Sequence, residues 1–173
     1  VSATGVAPLT YSWAPTGGTA ATASGLTSGT YTCTVTDGNG CIQTQTVSLT
    51  QPTAITSSIS SSTNVSCNGG SNGAATVSAS GGTGAFTYAW APSGGTAATA
   101  SGLAQGTYTC TITDINGCTR QQTVTITQPT AITSSISAST NVSCNGGSNG
   151  SATVAPSGGT GAFTYAWAPA GGT

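Results

Sequence analysis

The sequence predicts an all-β fold repeated in tandem, and three observations predict it. In Gly102–Cys118 (GLAQGTYTCTITDINGC), Tyr108, Cys110 and Ile112 alternate with Thr107, Thr109, Thr111 and Thr113, so an extended strand is apolar on one side and hydroxylated on the other. Gly102 and Gly106 bracket a tight turn before this strand. Asp114-Ile115-Asn116-Gly117 then turns the chain back into CTRQQTVTIT, which makes a β-hairpin. The same pattern stands at Gly25–Cys41, 77 residues earlier, and Trp13, Trp90 and Trp167 keep that spacing, as do Cys33/Cys110, Cys41/Cys118 and Cys67/Cys144. A Tyr two residues before a Cys, after a Gly turn and ahead of a DxNG turn, is the local pattern of strand F, with its tyrosine corner, in an immunoglobulin-like sandwich. The predicted architecture is a row of immunoglobulin-like β-sandwich repeats of about 77 residues.

On this spacing, residues 1–52 form the C-terminal part of one repeat, 53–129 a complete repeat, and 130–173 the N-terminal part of the next. In the complete repeat, Ala54–Ser60 turns Ile55 and Ile59 inward as a first strand, and the loop CNGGSNG follows. Ala74–Ser80 turns Ala75 and Val77 inward, and Gly81-Gly82-Thr83-Gly84 leads to Phe86–Ala91, where Phe86, Tyr88 and Trp90 share a face. A weak strand near Thr96–Ala100 is followed by Leu103, which closes the end of the core. Thr107–Thr113 and Cys118–Thr127 complete the set, the latter with Val124 and Ile126 inward. The aromatic core of the three repeats is predicted at Trp13, Trp90, Trp167, Tyr31, Tyr108 and Tyr88. Gln51-Pro52 and Gln128-Pro129 end strands, because proline stops ladder pairing, and mark short joints between repeats. Because the sequence starts and stops within repeats, a longer tandem array is expected, with any export signal or anchor outside this stretch.

Composition excludes several function classes. Asp37, Asp114 and Arg120 are the only charged side chains, and His, Glu, Lys and Met are absent. A general acid and base need neighbouring titratable groups, and a cysteine nucleophile needs a base to form thiolate, so no enzyme, catalytic residue or cofactor site is expected. Phosphate neutralisation needs many cationic side chains, so no nucleic acid is expected. No apolar run is long enough for a membrane span.

Six cysteines without His partners argue for disulfides and an oxidising, extracellular compartment over a metal site. The candidates are Cys33, Cys41, Cys67, Cys110, Cys118 and Cys144. Three per repeat is an odd number, so one in each is free or bridges outward. Cys110 holds the place of an immunoglobulin core cysteine and is one possible partner for Cys67. Cys110 to Cys118 is disfavoured, since with Thr113 facing Cys118 the two lie about 10 Å apart along the hairpin, beyond disulfide reach. Asp114-x-Asn116-Gly117 has the look of a calcium loop but offers one carboxylate where several are needed, so an Asx turn is the stronger reading. The Gly81–Gly84 loop is followed by a strand and no Lys, unlike a phosphate cradle. Phe86, Tyr88 and Trp90 would stack on sugars if exposed, but one shared strand face favours burial. Asn64-Val65-Ser66 and Asn141-Val142-Ser143 match the glycosylation sequon, and the Thr and Ser rows would accept O-linked sugar.

In CNGGSNG, FTYAW, GLAQGTYTCTITDINGC and the closing QP, the chain resembles the SprB-repeat family of bacterial surface adhesins, over essentially its whole length. The resemblance implies large exported tandem-repeat proteins of gliding and related Bacteroidota, carried out by the type IX secretion route and used in cell-surface adhesion. It also implies Cys67 and Cys118 as a recurrent cysteine pair. In a standard sandwich these two turns lie at opposite ends, so such a bond needs a long arm or a link between adjacent repeats. The functional expectation is an adhesive, disulfide-stabilised stalk at the bacterial cell surface, with adjacent repeats as partners. One rival is a subunit of an extracellular filament, since uncharged strand edges pair readily between copies. Another is a multivalent module for surface polysaccharide or other glycans.

Overall fold

A computed structural model of the chain describes residues 2–169. They fold as two compact units, Val1–Thr53 and Ala54–Thr173, with strands and no helix among the described residues. The expected boundary after residue 129 falls inside the second unit, because a loop of the complete repeat is bonded to the chain that leaves it. The last four residues of the predicted 130–173 segment, and Val1, lie outside the described residues.

In the first unit, β1 (Thr10–Ala14), β2 (Gly29–Thr36) and β3 (Ile42–Leu49) form one antiparallel sheet in that order. The second unit holds β4 (Thr56–Thr63), β5 (Gly73–Ser80), β6 (Thr87–Ala91), β7 (Thr99–Leu103), β8 (Gly106–Thr113), β9 (Thr119–Ile126), β10 (Thr133–Thr140) and β11 (Ser151–Ser157). The complete repeat is built from two three-stranded sheets, β4-β5-β7 and β6-β8-β9. Their inward residues make one core: Ala75, Val77, Ala100 and Leu103 from the first sheet meet Trp90, Tyr108, Cys110, Ile112 and Ile126 from the second. Tyr108 donates its Oη to the Ala104 carbonyl at 3.2 Å, as Tyr31 does to Thr27 at 3.1 Å. This is the tyrosine corner expected of an immunoglobulin-like sandwich.

Period-two alternation sends the hydroxyl rows outward, where they pair across strands. Thr107 and Thr125 lie 3.3 Å apart, Thr76 and Thr99 3.0 Å, and Thr56 and Ser80 2.8 Å. Three details differ from the sequence reading. A bulge between Ile59 and Ser61 carries β4 on to Thr63, because the extra residue lets pairing resume after Ser60 turns its Oγ to the Thr76 carbonyl at 3.1 Å. The weak strand lies later than expected and contains Leu103, which faces Gly73. Thr113 faces Thr119 and not Cys118, since Asp114 and Cys118 close the turn backbone to backbone at 3.0 Å and Gly117 takes a left-handed φ of 81°.

Burial of the aromatic set varies with how much of a sandwich surrounds it. Trp90, Tyr31 and Tyr108 are buried, while Tyr88 and Trp13 are half-buried. Trp167 was expected in a core but is 38% exposed, and Tyr165, Ile132 and Ile136 stand open beside it. Only the two-stranded sheet β10-β11 accompanies them, and the described residues include no counterpart there of β8 and β9 to cover the face. Val65, the middle residue of the Asn64-Val65-Ser66 sequon and not among the predicted core residues, is 3% exposed and belongs to the core.

Candidate functional site

No group of three or more His, Cys, Asp or Glu capable of holding a metal is found among the described residues. Instead, polar side chains gather at two loops of the complete repeat, one at each end of β9.

At the far end of β9, the loop between β4 and β5 folds over the Gln128-Pro129 joint. Asn64 Oδ1 accepts from the Thr127 amide at 2.9 Å, and the Val65 amide donates to the Thr127 carbonyl at 2.9 Å, extending the ladder and drawing Val65 into the core. Asn68 Nδ2 donates to the Pro129 carbonyl at 3.1 Å, and the Gly69 amide to Gln128 Oε1 at 2.8 Å. The loop is held in shape from within: Asn72 Oδ1 accepts from the Ser66 amide at 3.0 Å while its Nδ2 donates to Ser66 Oγ at 2.8 Å. Asn64, the asparagine of the sequon, is therefore a fastening residue. Cys67 is exposed and opens on a cleft of about 320 Å³ shared with Pro129, Ile132, Gly159 and Thr160.

At the near end, Asp114 organises the β8–β9 turn. Its Oδ1 accepts from the Asn116 amide at 3.0 Å and the Cys118 amide at 2.9 Å, and its Oδ2 accepts from the Thr83 amide at 3.0 Å. The Ile115 amide returns a bond to the Thr83 carbonyl at 3.2 Å, so the Gly81–Gly84 loop is tied to this turn. Both carboxylate oxygens face N–H donors, which fits the Asx turn and not a cation loop. The first unit repeats the arrangement with Asp37, Asn39, Cys41 and Val6. There the Cys41 amide above all, aided by those of Asn39 and Val6, holds the Asp37 carboxyl below the usual carboxylate value.

None of the six cysteines is paired. Cys33 and Cys110 are fully buried under Trp13 and Trp90, their strand partners, and burial pushes the Cys110 thiol up. Cys41, Cys67, Cys118 and Cys144 are exposed. Cys67 lies by Thr127, and at about 3.3 Å per residue of extended strand Cys118 is about 30 Å away from there. Cys110, opposite Gln122, is about 16 Å short of Thr127 by the same measure. A disulfide needs Cα atoms within about 7 Å, so Cys67 meets neither within its own repeat.

Of the aromatic residues considered for sugar stacking, Phe86 and Tyr88 pack half-buried against the core, and Trp90 is engaged inside it. Trp90 is 7% exposed and its Nε1 donates to the Ala97 carbonyl at 3.0 Å. The joint bonds of Asn64, Asn68 and Gln128, and the reach of Asp114 to Thr83, were not foreseen from sequence. The signal present was the unchanged return, 77 residues apart, of NVSCNGGSNG at 64–73 and 141–150 and of QP at 51–52 and 128–129, which a plain loop does not require.

A comparison with curated proteins finds no match. The family model described as SprB repeat matches residues 59–95 and 136–172, two segments 77 residues apart that each begin in the first strand of a repeat and extend past Trp90 or Trp167. Through these two segments the chain carries SprB repeats, in agreement with the resemblance read from the sequence.

Proposed function

We propose that this chain is a stalk segment of a large exported cell-surface repeat protein of the gliding-motility type, and that it serves surface adhesion. The two SprB repeats support the surface location. The observation that carries the mechanical reading is the fastened joint. Gln128 and Pro129 would form a two-residue hinge if free, but Asn68 and Gly69 grip both from the preceding loop, so bending one repeat against the next breaks hydrogen bonds. Outward hydroxyl rows keep the sheets hydrated without charge, and without Lys or Glu there is little long-range field to depend on salt.

A second reading has its own support. The outward Thr and Ser rows carry almost no charge, and uncharged strand edges pair readily between copies, which is what lateral assembly into a filament would use. One experiment separates the two. Chains carrying increasing numbers of the 53–129 repeat, inserted in register after residue 129, are coated on beads and tested for retention on glass under flow. Retention that rises with repeat number, from chains that scatter light as monomers, supports the adhesive stalk. Length-dependent assembly at low concentration with unchanged retention moves the assignment to a filament subunit.

A further inference from the structure

We propose that Asn68-Gly69 is a self-modification site controlled by the joint: Asn68 deamidates when Gln128 and Pro129 let go of the loop, and the acid formed keeps the joint open. Of the chain's eight asparagines, six precede glycine: Asn39, Asn68, Asn72, Asn116, Asn145 and Asn149. In this dipeptide the glycine nitrogen reaches the asparagine side-chain carbon with no Cβ in its path. At Asn68 the turn itself demands the glycine. The Gly70 amide donates to the Cys67 carbonyl at 3.0 Å and Gly69 holds φ at 76°, so the residue that shapes the turn also leaves the attack unhindered.

The step needs water alone as co-reactant, and Asn68 is exposed to it. The Gly69 nitrogen bonds to Cγ of Asn68 as its proton passes to Nδ2, the bond from Cγ to Nδ2 breaks, and ammonia leaves. Water then opens the cyclic imide, at Cγ to give aspartate or at the main-chain carbonyl carbon to give isoaspartate, whose backbone is one carbon longer. One water is consumed and one ammonia released, nothing is oxidised or reduced, and the proton of the new carboxyl group passes to the ammonia.

The closed joint withholds both reacting groups. The Gly69 amide donates its proton to Gln128 Oε1 at 2.8 Å, and Nδ2 of Asn68, the leaving group, donates to the Pro129 carbonyl at 3.1 Å. These bonds join exposed or half-buried groups, so they break by local opening, and the rate of deamidation follows the fraction of time the joint is open. Two such bonds slow it by about 5- to 30-fold. The product does not close again. A carboxylate has no N–H to donate and faces the Pro129 carbonyl oxygen, while isoaspartate also shifts Gly69 away from Gln128. A transient opening is thereby made permanent. The chain carries its own reference in Asn145, which has the same neighbours at 139–150 as Asn68 has at 62–73. It sits in the same turn, with the Gly147 amide on the Cys144 carbonyl at 3.0 Å and Gly146 at φ 79°, but among the described residues neither its carboxamide nor the Gly146 amide has a hydrogen-bond partner. Asn72 is the opposite case, its carboxamide closed on Ser66 within the loop whatever the joint does. The chemistry is independent of the stalk reading, whereas the loosening of an array rests on it.

The test ages the full chain, 1–173, in warm, mildly alkaline, reducing buffer and digests timed samples with a protease cutting at Tyr, Trp, Phe and Leu. Asn68 and Asn145 fall in different peptides, and electron-transfer fragmentation locates each acid and separates aspartate from isoaspartate. Asn68 is expected to change about 5- to 30-fold more slowly than Asn145. Gln128→Ala should speed Asn68 severalfold and leave Asn145 and Asn72 as they were, the slow Asn72 showing that the loop is still folded. Equal rates at Asn68 and Asn145 in the parent chain, no conversion at either, or an Asn68 that Gln128→Ala does not speed overturns the inference. The consequence is read in arrays with extra in-register copies of 53–129 carrying Asn68→Asp, whose radius of gyration should fall below that of the parent. If it does not fall while Asn68→Ala with Gln128→Ala does bend the array, the acid fails to hold the joint open and that half of the inference is overturned. If neither bends it, the stiff-stalk reading has failed, and the holding-open of the joint falls with it.

Discussion

The Asp114 carboxylate and the Thr83 amide, 31 residues apart in sequence, meet at 3.0 Å and tie the loop between β5 and β6 to the turn between β8 and β9. Asp114 is 5% exposed and accepts three backbone N–H donors. Replacing it by Ala leaves these donors without the acceptor and should lower stability by about 3 kcal/mol. Asp114→Asn keeps one acceptor oxygen but turns an NH₂ toward the remaining donors, and should cost about half as much. Urea unfolding of the full chain, followed by Trp fluorescence, measures both. A loss below about 1 kcal/mol for the Ala variant would show that water replaces the carboxylate at little cost.

The related turn in the first unit gives a pH dependence of defined sign. Asp37 accepts from Cys41 at 2.9 Å, and its pKa in the folded chain is depressed, first by that bond. The folded form therefore binds a proton less readily than the unfolded form. Its contribution is present above the ordinary carboxylate value and is lost as pH falls through the lower folded value. The amide resonances of Cys41 and Asn39 should move together in an acid titration, with a midpoint below that of a free carboxylate. Asp37→Asn should abolish the shared transition.

Much of this architecture was legible in the sequence because its signals are local. Alternation in Thr107–Thr113 placed Tyr108, Cys110 and Ile112 inside, and the spacing of Gly117 to Asp114 announced the hairpin. What escaped were contacts that depend on the closed sandwich. Val65 sits in a polar stretch and becomes core only because its backbone pairs with Thr127. Asn68 and Gln128 are 60 residues apart and form parts of one joint only once β4 and β9 lie side by side. Trp167 was placed in the core by analogy with Trp90, but burial belongs to the surrounding strands and not to the residue.

Gly73 is required for space and not for backbone conformation. A Cβ there would meet Ile126 Cγ2 and the Leu103 carbonyl oxygen, both at 2.7 Å, where β5 and β7 approach the end of β9. Gly73→Ala should therefore cost about 2 to 3 kcal/mol by overpacking. Gly117→Ala meets nothing within 4 Å but must hold φ at 81°, and should cost about 1 kcal/mol. Denaturation midpoints of the two variants test the ranking, which would reverse if the backbone around Gly73 relaxed more easily than the turn.

The joint is open to a test that separates stiffness from stability. Asn68 and Gln128 bond exposed or half-buried groups, so Asn68→Ala and Gln128→Ala should each lower stability by about 1 kcal/mol or less. Their effect on shape should be larger, because the two bonds are what oppose bending about Pro129. In arrays with extra in-register copies of 53–129, the double variant should give a shorter persistence length in electron micrographs and a smaller radius of gyration in X-ray scattering, with the melting temperature nearly unchanged. Asn64→Ala is the informative contrast. It withdraws the acceptor of the Thr127 amide at the end of the β9 ladder, and Val65 loses the support that keeps it in the core, so it should destabilise the repeat itself by about 1 to 2 kcal/mol. If arrays of the double variant remain as straight as the parent, the loop's grip on Gln128 and Pro129 is incidental to stiffness.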